Sequence, residues 1–141
     1  SGKAGGLGSY RKGERPTRPM TAEGLICRYF LSGRPEDAVR NEAAEFILQE
    51  PPQAGTANLY YWYYATLALH QAQDDRWDAW NAPLQRELLA RQETVGENAG
   101  SWKPDDCLWG GYGGRVYSTS MAALCLEVYY RYLPLFVAER R

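Results

Sequence analysis

The sequence predicts an all-α chain of helical hairpins, a partial array of about two and a half hairpins with a unit of about 50 residues. Three observations predict it. Apolar residues recur at three- and four-residue spacing in successive segments set apart by Gly, Pro and capping residues. The segments alternate in character, the third and fifth apolar nearly all round and the second and fourth one-sided, as expected where inner helices are surrounded and outer helices face water. Finally, Thr21-Ala22-Glu23-Gly24-Leu25-Ile26-Cys27 is paralleled by Thr119-Ser120-Met121-Ala122-Ala123-Leu124-Cys125, and each copy follows a Gly-rich stretch, Gly5-Gly6-Leu7-Gly8 or Gly110-Gly111-Tyr112-Gly113-Gly114.

Residues 1–20 hold Gly at 2, 5, 6, 8 and 13 and Pro at 16 and 19, so they read as an extended lead-in whose order must come from docking. The helical repeat region is expected over 21–135, and 136–141 form a charged tail. Thr21 offers an N-cap for a first helix, with Glu23 in its first turn and Leu25, Ile26, Tyr29 and Phe30 on one face as far as Ser32-Gly33. Pro35 suits the start of a second helix, Glu36 and Asp37 complement its dipole, and Val39, Ala43, Phe46 and Ile47 make its apolar stripe before Pro51-Pro52. Asn58 caps a third helix, Leu59 to about Gln73, in which the run Leu59 to Leu69 leaves almost no polar face. A fourth runs from Asp75 to about Glu93 with Trp77, Trp80, Leu84 and Leu88 on its stripe and Pro83 as a kink point. Residues 94–116 read as a Gly- and Trp-containing loop, after which Ser118 or Thr119 starts a last helix through Met121, Leu124, Leu126, Val128 and Tyr129, closed by Pro134.

At 141 residues the chain is one domain with room for a real core. Its 11 Tyr and 5 Trp against 3 Phe are unusual, because buried Tyr and Trp need partners for their polar tips. Residues 1–20 carry five of the 16 basic residues and one of the 17 acidic ones, so the remainder is net acidic and gives no general nucleic-acid surface. No apolar run reaches the roughly 18–20 residues of a membrane span, the longest being broken by Gln71, Glu127 and Arg131. The three cysteines, Cys27, Cys107 and Cys125, are odd in number and widely spaced, against both a disulfide framework and a structural zinc site. Nothing assigns a compartment.

Gln92 followed by Gly100-Ser101-Trp102 resembles the QW motif of squalene and oxidosqualene cyclases, with a longer gap between Gln and Gly than that family has. The order of inner helix, outer helix, Gln, Gly-Ser-Trp, Gly-rich turn and Val116-Tyr117-Ser118-Thr119 also resembles the wider squalene cyclase and protein prenyltransferase superfamily of α/α-toroids, over most of residues 5–135. The resemblance implies a partial toroid, and a structural role for the motif in which an indole stacked on the Gln amide ties one hairpin to the next. It does not carry the family chemistry across. The Asp-x-Asp-Asp acid of the cyclases is absent, and Asp105-Asp106 reads as a solvated turn. Asp74-Asp75-Arg76-Trp77-Asp78 matches the Asp-Asp-x-x-Asp diphosphate-magnesium motif of terpene synthases, but falls where acidic groups favour a helix start in any case. Asp105 and Cys107 have the spacing of the first zinc pair of prenyltransferases, yet Ser118 stands where the later His is expected and His70, the single His, ends the third helix instead. The Gly110 to Gly114 run lacks the Lys-Ser/Thr of a phosphate loop, and Arg115 beside it serves either as an anion ligand at a helix start or as a surface ion pair.

The sequence therefore points to a non-catalytic binding or assembly module that needs no cofactor or metal and offers an aromatic apolar groove. Its candidate ligand-binding residues are Tyr60, Tyr61, Trp62, Tyr64, Trp109, Tyr112, Arg115 and Tyr117, with the Tyr60 to Tyr64 run able to turn only one or two rings toward a cavity. So few hairpins leave inner helices open, which predicts a homodimer or further repeats of a longer parent protein; the ligand is a protein segment or an apolar, isoprenoid-like molecule. The competing readings are a fragment of a terpenoid cyclase-like or prenyltransferase-like enzyme, and a carbohydrate-related helical toroid using Trp and Tyr platforms.

Overall fold

The computed structural model describes residues 2–131; Pro134 and the tail expected over 136–141 lie outside the described residues. Five helices run in order: α1 (Arg18–Ser32), α2 (Asp37–Leu48), α3 (Leu59–Ala72), α4 (Asp75–Arg91) and α5 (Gly110–Arg131), with one short 3-10 turn at Pro104–Asp106. Among the described residues there is no strand, only isolated bridges between Ala57 and Cys107 and between Gln92 and Trp102. The protein is all-α, and none of its described helices is long and apolar enough to cross a membrane. α3 packs between α1 and α5, while α2 lies against α1 and α4 against α3, with α2 and α4 also in contact.

The caps explain where the helices begin. α1 starts a turn earlier than Thr21, because the extended Thr17 accepts a hydrogen bond from Met20 N at 3.4 Å and Pro19 suits the first turn. Thr21 is buried inside the helix, where its hydroxyl accepts from Gly8 N at 2.9 Å and so holds the lead-in. Asn58 caps α3, its side-chain oxygen accepting from Tyr61 N at 3.0 Å. Asp74 caps α4 in the same way, and α4 continues as one helix through Pro83.

α3 is the axis of the core: Tyr61, Trp62 and every residue from Ala65 to Ala72 are buried. Leu25, Ile26 and Tyr29 of α1, Ile47 of α2, Trp80, Leu84 and Leu88 of α4, and Ala122, Cys125 and Val128 of α5 close around it. Each fully buried Leu or Ile is worth about 1.5–3 kcal/mol. Two polar tips at the centre are engaged: Trp80 Nε1 donates to Thr66 Oγ1 at 2.9 Å, and Tyr61 donates its hydroxyl to Ile47 O at 2.8 Å.

Two further expectations change. Residues 94–116 are not all loop, because Tyr112 N and Gly113 N both bond to Trp109 O at 3.0 Å and close a helical turn through the glycine run. The kink falls at Gly114, at φ 63°. α5, although apolar nearly all round, is buried on one stripe only; Tyr112, Val116 and Tyr130 stand exposed, since no described helix packs behind it as α4 packs behind α3.

The lead-in is docked along α1 and α2. Glu42 accepts from Gly6 N at 2.7 Å and Ala4 N at 3.2 Å, and Arg28 reaches Gly5 O at 2.9 Å. Gly6 runs so close to α2 that a Cβ there would lie 2.4 Å from Val39 O.

Candidate functional site

The lead-in and the starts of three helices enclose an open groove of about 590 Å³, within the range of about 300–1,000 Å³ usual for small-molecule sites. Tyr10 comes from the lead-in, Thr17, Pro19 and Met20 from the start of α1, Asn58 and Tyr60 from the start of α3, and Leu108, Trp109 and Tyr117 from the start of α5 and the turn before it. None of these side chains is charged. The positive ends of the helix dipoles of α1 and α3 are at this groove, because its walls are their first turns.

Tyr60 is fixed by donating its hydroxyl to Glu23 Oε2 at 2.7 Å and by packing on Tyr64, ring centroids 4.8 Å apart. Burial, and then the Glu23 carboxylate, hold its phenol above the ordinary tyrosine range, so it stays neutral. Tyr117 presents its ring to the groove, while its hydroxyl is buried without a partner among the described residues; burial raises its pKa as well. Trp109 is the distinctive member. It is 55% exposed, sits at φ 70°, a left-handed conformation that costs a non-glycine residue about 1–3 kcal/mol, and its indole N–H donates to nothing among the described residues.

Of the residues singled out from sequence, the groove gathers Tyr60, Trp109 and Tyr117. Tyr112 is 92% exposed beside Trp109, centroids 6.2 Å apart, and does not line it. Tyr64 supports Tyr60 and also meets Tyr63 at 5.3 Å. Tyr61 and Trp62 turn into the core, Tyr61 edge-on to Trp80 at 5.5 Å and Trp62 beneath the Arg91 guanidinium at 5.6 Å. Arg115 pairs with Glu93 and donates to Ser101 Oγ, the latter at 2.8 Å, and it does not line the groove. Tyr10, Met20, Asn58 and Leu108 were not signalled as site residues by any motif; a lone aromatic inside a glycine-rich lead-in is the one hint that Tyr10 carries.

The Gln-Gly-Trp motif forms a clasp. Gln92 Nε2 donates to Gly100 O at 2.9 Å, and Trp102 Nε1 donates to Leu88 O at 2.8 Å, near the end of α4. Ser118 Oγ donates to Trp102 O at 2.7 Å and Thr119 Oγ1 accepts from Trp102 N at 3.2 Å, which joins α4 to α5. Ser118 and Thr119 thus serve the clasp and not a helix start.

The acidic motifs have local work. Asp74 is the α4 cap and takes the Arg76 guanidinium Nε at 3.0 Å; burial would raise its carboxyl, but Arg76 outweighs burial and holds it below the usual range. Asp105 and Asp106 are exposed, and Cys107 is buried with its thiol on Pro104 O at 3.4 Å, pushed up by burial and then by Asp106. Among the described residues no three His, Cys, Asp or Glu side chains gather as a metal would require. His70 is buried with its ring edge-on to Trp77 at 4.9 Å, and its Nδ1 has no partner among the described residues.

Searches against family models, curated proteins and solved structures return no match to this chain.

Proposed function

We propose that the chain is a non-catalytic binding and assembly module of toroid-like helical hairpins, and that the groove at the starts of α1, α3 and α5 receives its ligand. The observation that carries this reading is Trp109, held exposed and left-handed at a groove whose lining side chains include no charge. Strain of this kind persists where surrounding structure imposes it, and it clusters at binding sites. The toroid part is supported by the row α1, α3, α5 with α2 and α4 behind it, and by the clasp that ties α4 to α5. The assembly part is supported by the exposed apolar side chains Tyr112, Val116 and Tyr130 on α5, which suit contact with a second copy or with further repeats.

Titration with Nile red, a neutral apolar dye, tests the groove. Saturable one-site binding is expected, weakened at least about ten-fold in Trp109→Gly. Absence of saturable binding, or equal binding by the variant, overturns the reading. Solution mass as a function of concentration tests assembly, and a strictly monomeric protein in which Val116→Asp changes nothing removes that part.

A further inference from the structure

The lead-in carries a second feature, whatever fills the groove. Thr17 N donates to Gly8 O at 2.9 Å and closes residues 9–16 into a loop. Inside it Glu14 N donates to Arg11 O at 3.1 Å, and Gly13 takes φ 88° at the third position of that turn, where type II turns favour glycine. The turn places Lys12 at its tip, with Arg11 and Arg15 flanking it in sequence. All three are exposed, none is in an ion pair among the described residues, and Glu14 is the one acid of the loop. This charge adjoins exposed apolar surface. The Arg11 guanidinium lies 5.9 Å from the centre of the Tyr10 ring, and Tyr10 is 75% exposed. Tyr10, Leu108 and Trp109 meet at the groove, Tyr112 lies against Trp109, and all four are exposed. Of the two acids in the turn before Leu108, Asp106 opens on a different hollow beside Lys103, and Asp105 offsets one charge at most.

We propose that the loop 9–16 and the exposed rings beside it dock the protein on the surface of a membrane that carries anionic lipids, as a peripheral contact and not as a span. A soluble polyanion would use the charges and leave the apolar side chains in water, and a neutral apolar ligand would use the rings and leave the charges idle. An anionic bilayer uses both: its headgroups attract Arg11, Lys12 and Arg15, while Tyr and Trp settle where one end is apolar and the other wet. Such a surface needs no matched shape, which suits side chains as exposed as these. The inference does not rest on the groove having a ligand, because Tyr112 and the basic residues do not line it. Of the α5 side chains offered to a second copy, it uses Tyr112 alone.

The test is co-sedimentation of the full chain with vesicles of equal parts phosphatidylcholine and phosphatidylserine, against vesicles of phosphatidylcholine alone. Partition onto the anionic vesicles should be at least about ten-fold stronger and should weaken as salt rises, since each basic residue near such a surface is worth about five-fold. Lys12→Gln combined with Arg15→Gln should weaken it at least about ten-fold, and Tyr112→Ser at least about three-fold. These side chains are exposed, so both variants should keep the wild-type melting profile and the wild-type binding of Nile red. Equal partition onto the two kinds of vesicle, no partition onto either, or unchanged partition of either variant overturns the proposal. Binding to soluble polyglutamate as strong as binding to the anionic vesicles would make the loop a site for acidic proteins, and overturns it too. Vesicle binding without Nile red binding supports this proposal and rejects the ligand groove, while Nile red binding without vesicle binding does the reverse.

Discussion

Replacing Trp102 with Ala tests whether the clasp between α4 and α5 is an energetic joint. The indole is 5% exposed, donates to Leu88 O at 2.8 Å, and its backbone is gripped by Ser118 and Thr119. Truncating a buried Trp to Ala removes about 3–5 kcal/mol through lost transfer energy and the cavity left behind. Trp102→Phe keeps most of the ring but leaves the Leu88 carbonyl without its indole donor, an expected loss of about 1–3 kcal/mol. Against a typical total of about 5–15 kcal/mol, the Ala variant should be near the edge of stability. Urea unfolding gives both numbers as shifts in midpoint, and hydrogen exchange should show α5 losing protection ahead of α1 and α3. A loss under about 1 kcal/mol for Ala, or uniform loss of protection across all helices, would refute the idea that this tryptophan fastens α5.

Three further outcomes follow from other sites. Burial lowers the pKa of His70, which is 3% exposed, so the unfolded chain takes up a proton below about pH 6.5 that the folded chain resists. Stability should therefore fall as pH drops from about 6.5 toward the lowered folded value, and thermal melts of His70→Leu should lose this acid limb. Glu42 has the opposite origin: burial opposes its charge, but the Gly6 and Ala4 amides outweigh burial and lower its carboxyl, so the docking of the lead-in is complete above its unfolded value near 4.5 and is lost as pH falls through the folded one. Amide exchange at Gly6 should rise at acid pH in the wild type and be high at every pH in Gly6→Ala, where the new Cβ meets Val39 O. Trp109→Gly should leave the melting temperature unchanged or raise it, because the gain from relieving φ 70° offsets the greater freedom of glycine in the unfolded chain; a loss above about 2 kcal/mol would mean that the indole is a packing residue and not a presented one.

The helices were legible because their signals are local. Asn58 announces α3, and the all-round apolar run after it leaves no alternative to burial. Thr21 misled because two threonines four apart both suit a cap, and the choice falls to Thr17 through Pro19 and through the tertiary use of the Thr21 hydroxyl by Gly8. The glycine run read as a loop because helix propensity counts against glycine, whereas the bonds to Trp109 O decide the matter. The aromatic run drew attention to Tyr60 and equally to Tyr61 and Trp62, and only the rotation of α3 in its packed position separates the first from the other two. The remaining groove wall is contributed by separate segments, a juxtaposition that no window of sequence contains.

Tyr10 belongs to a segment whose far end is moored to Glu42 on α2 and to Arg28 on α1. The outer wall of the groove is thus a strap, pinned nearer Tyr10 by Gly8 on Thr21 Oγ1 and farther off by a carboxylate outside the groove. If gripping Tyr10 from within the groove tightens that farther mooring, thermodynamic reciprocity makes Glu42 harder to protonate by the same free energy.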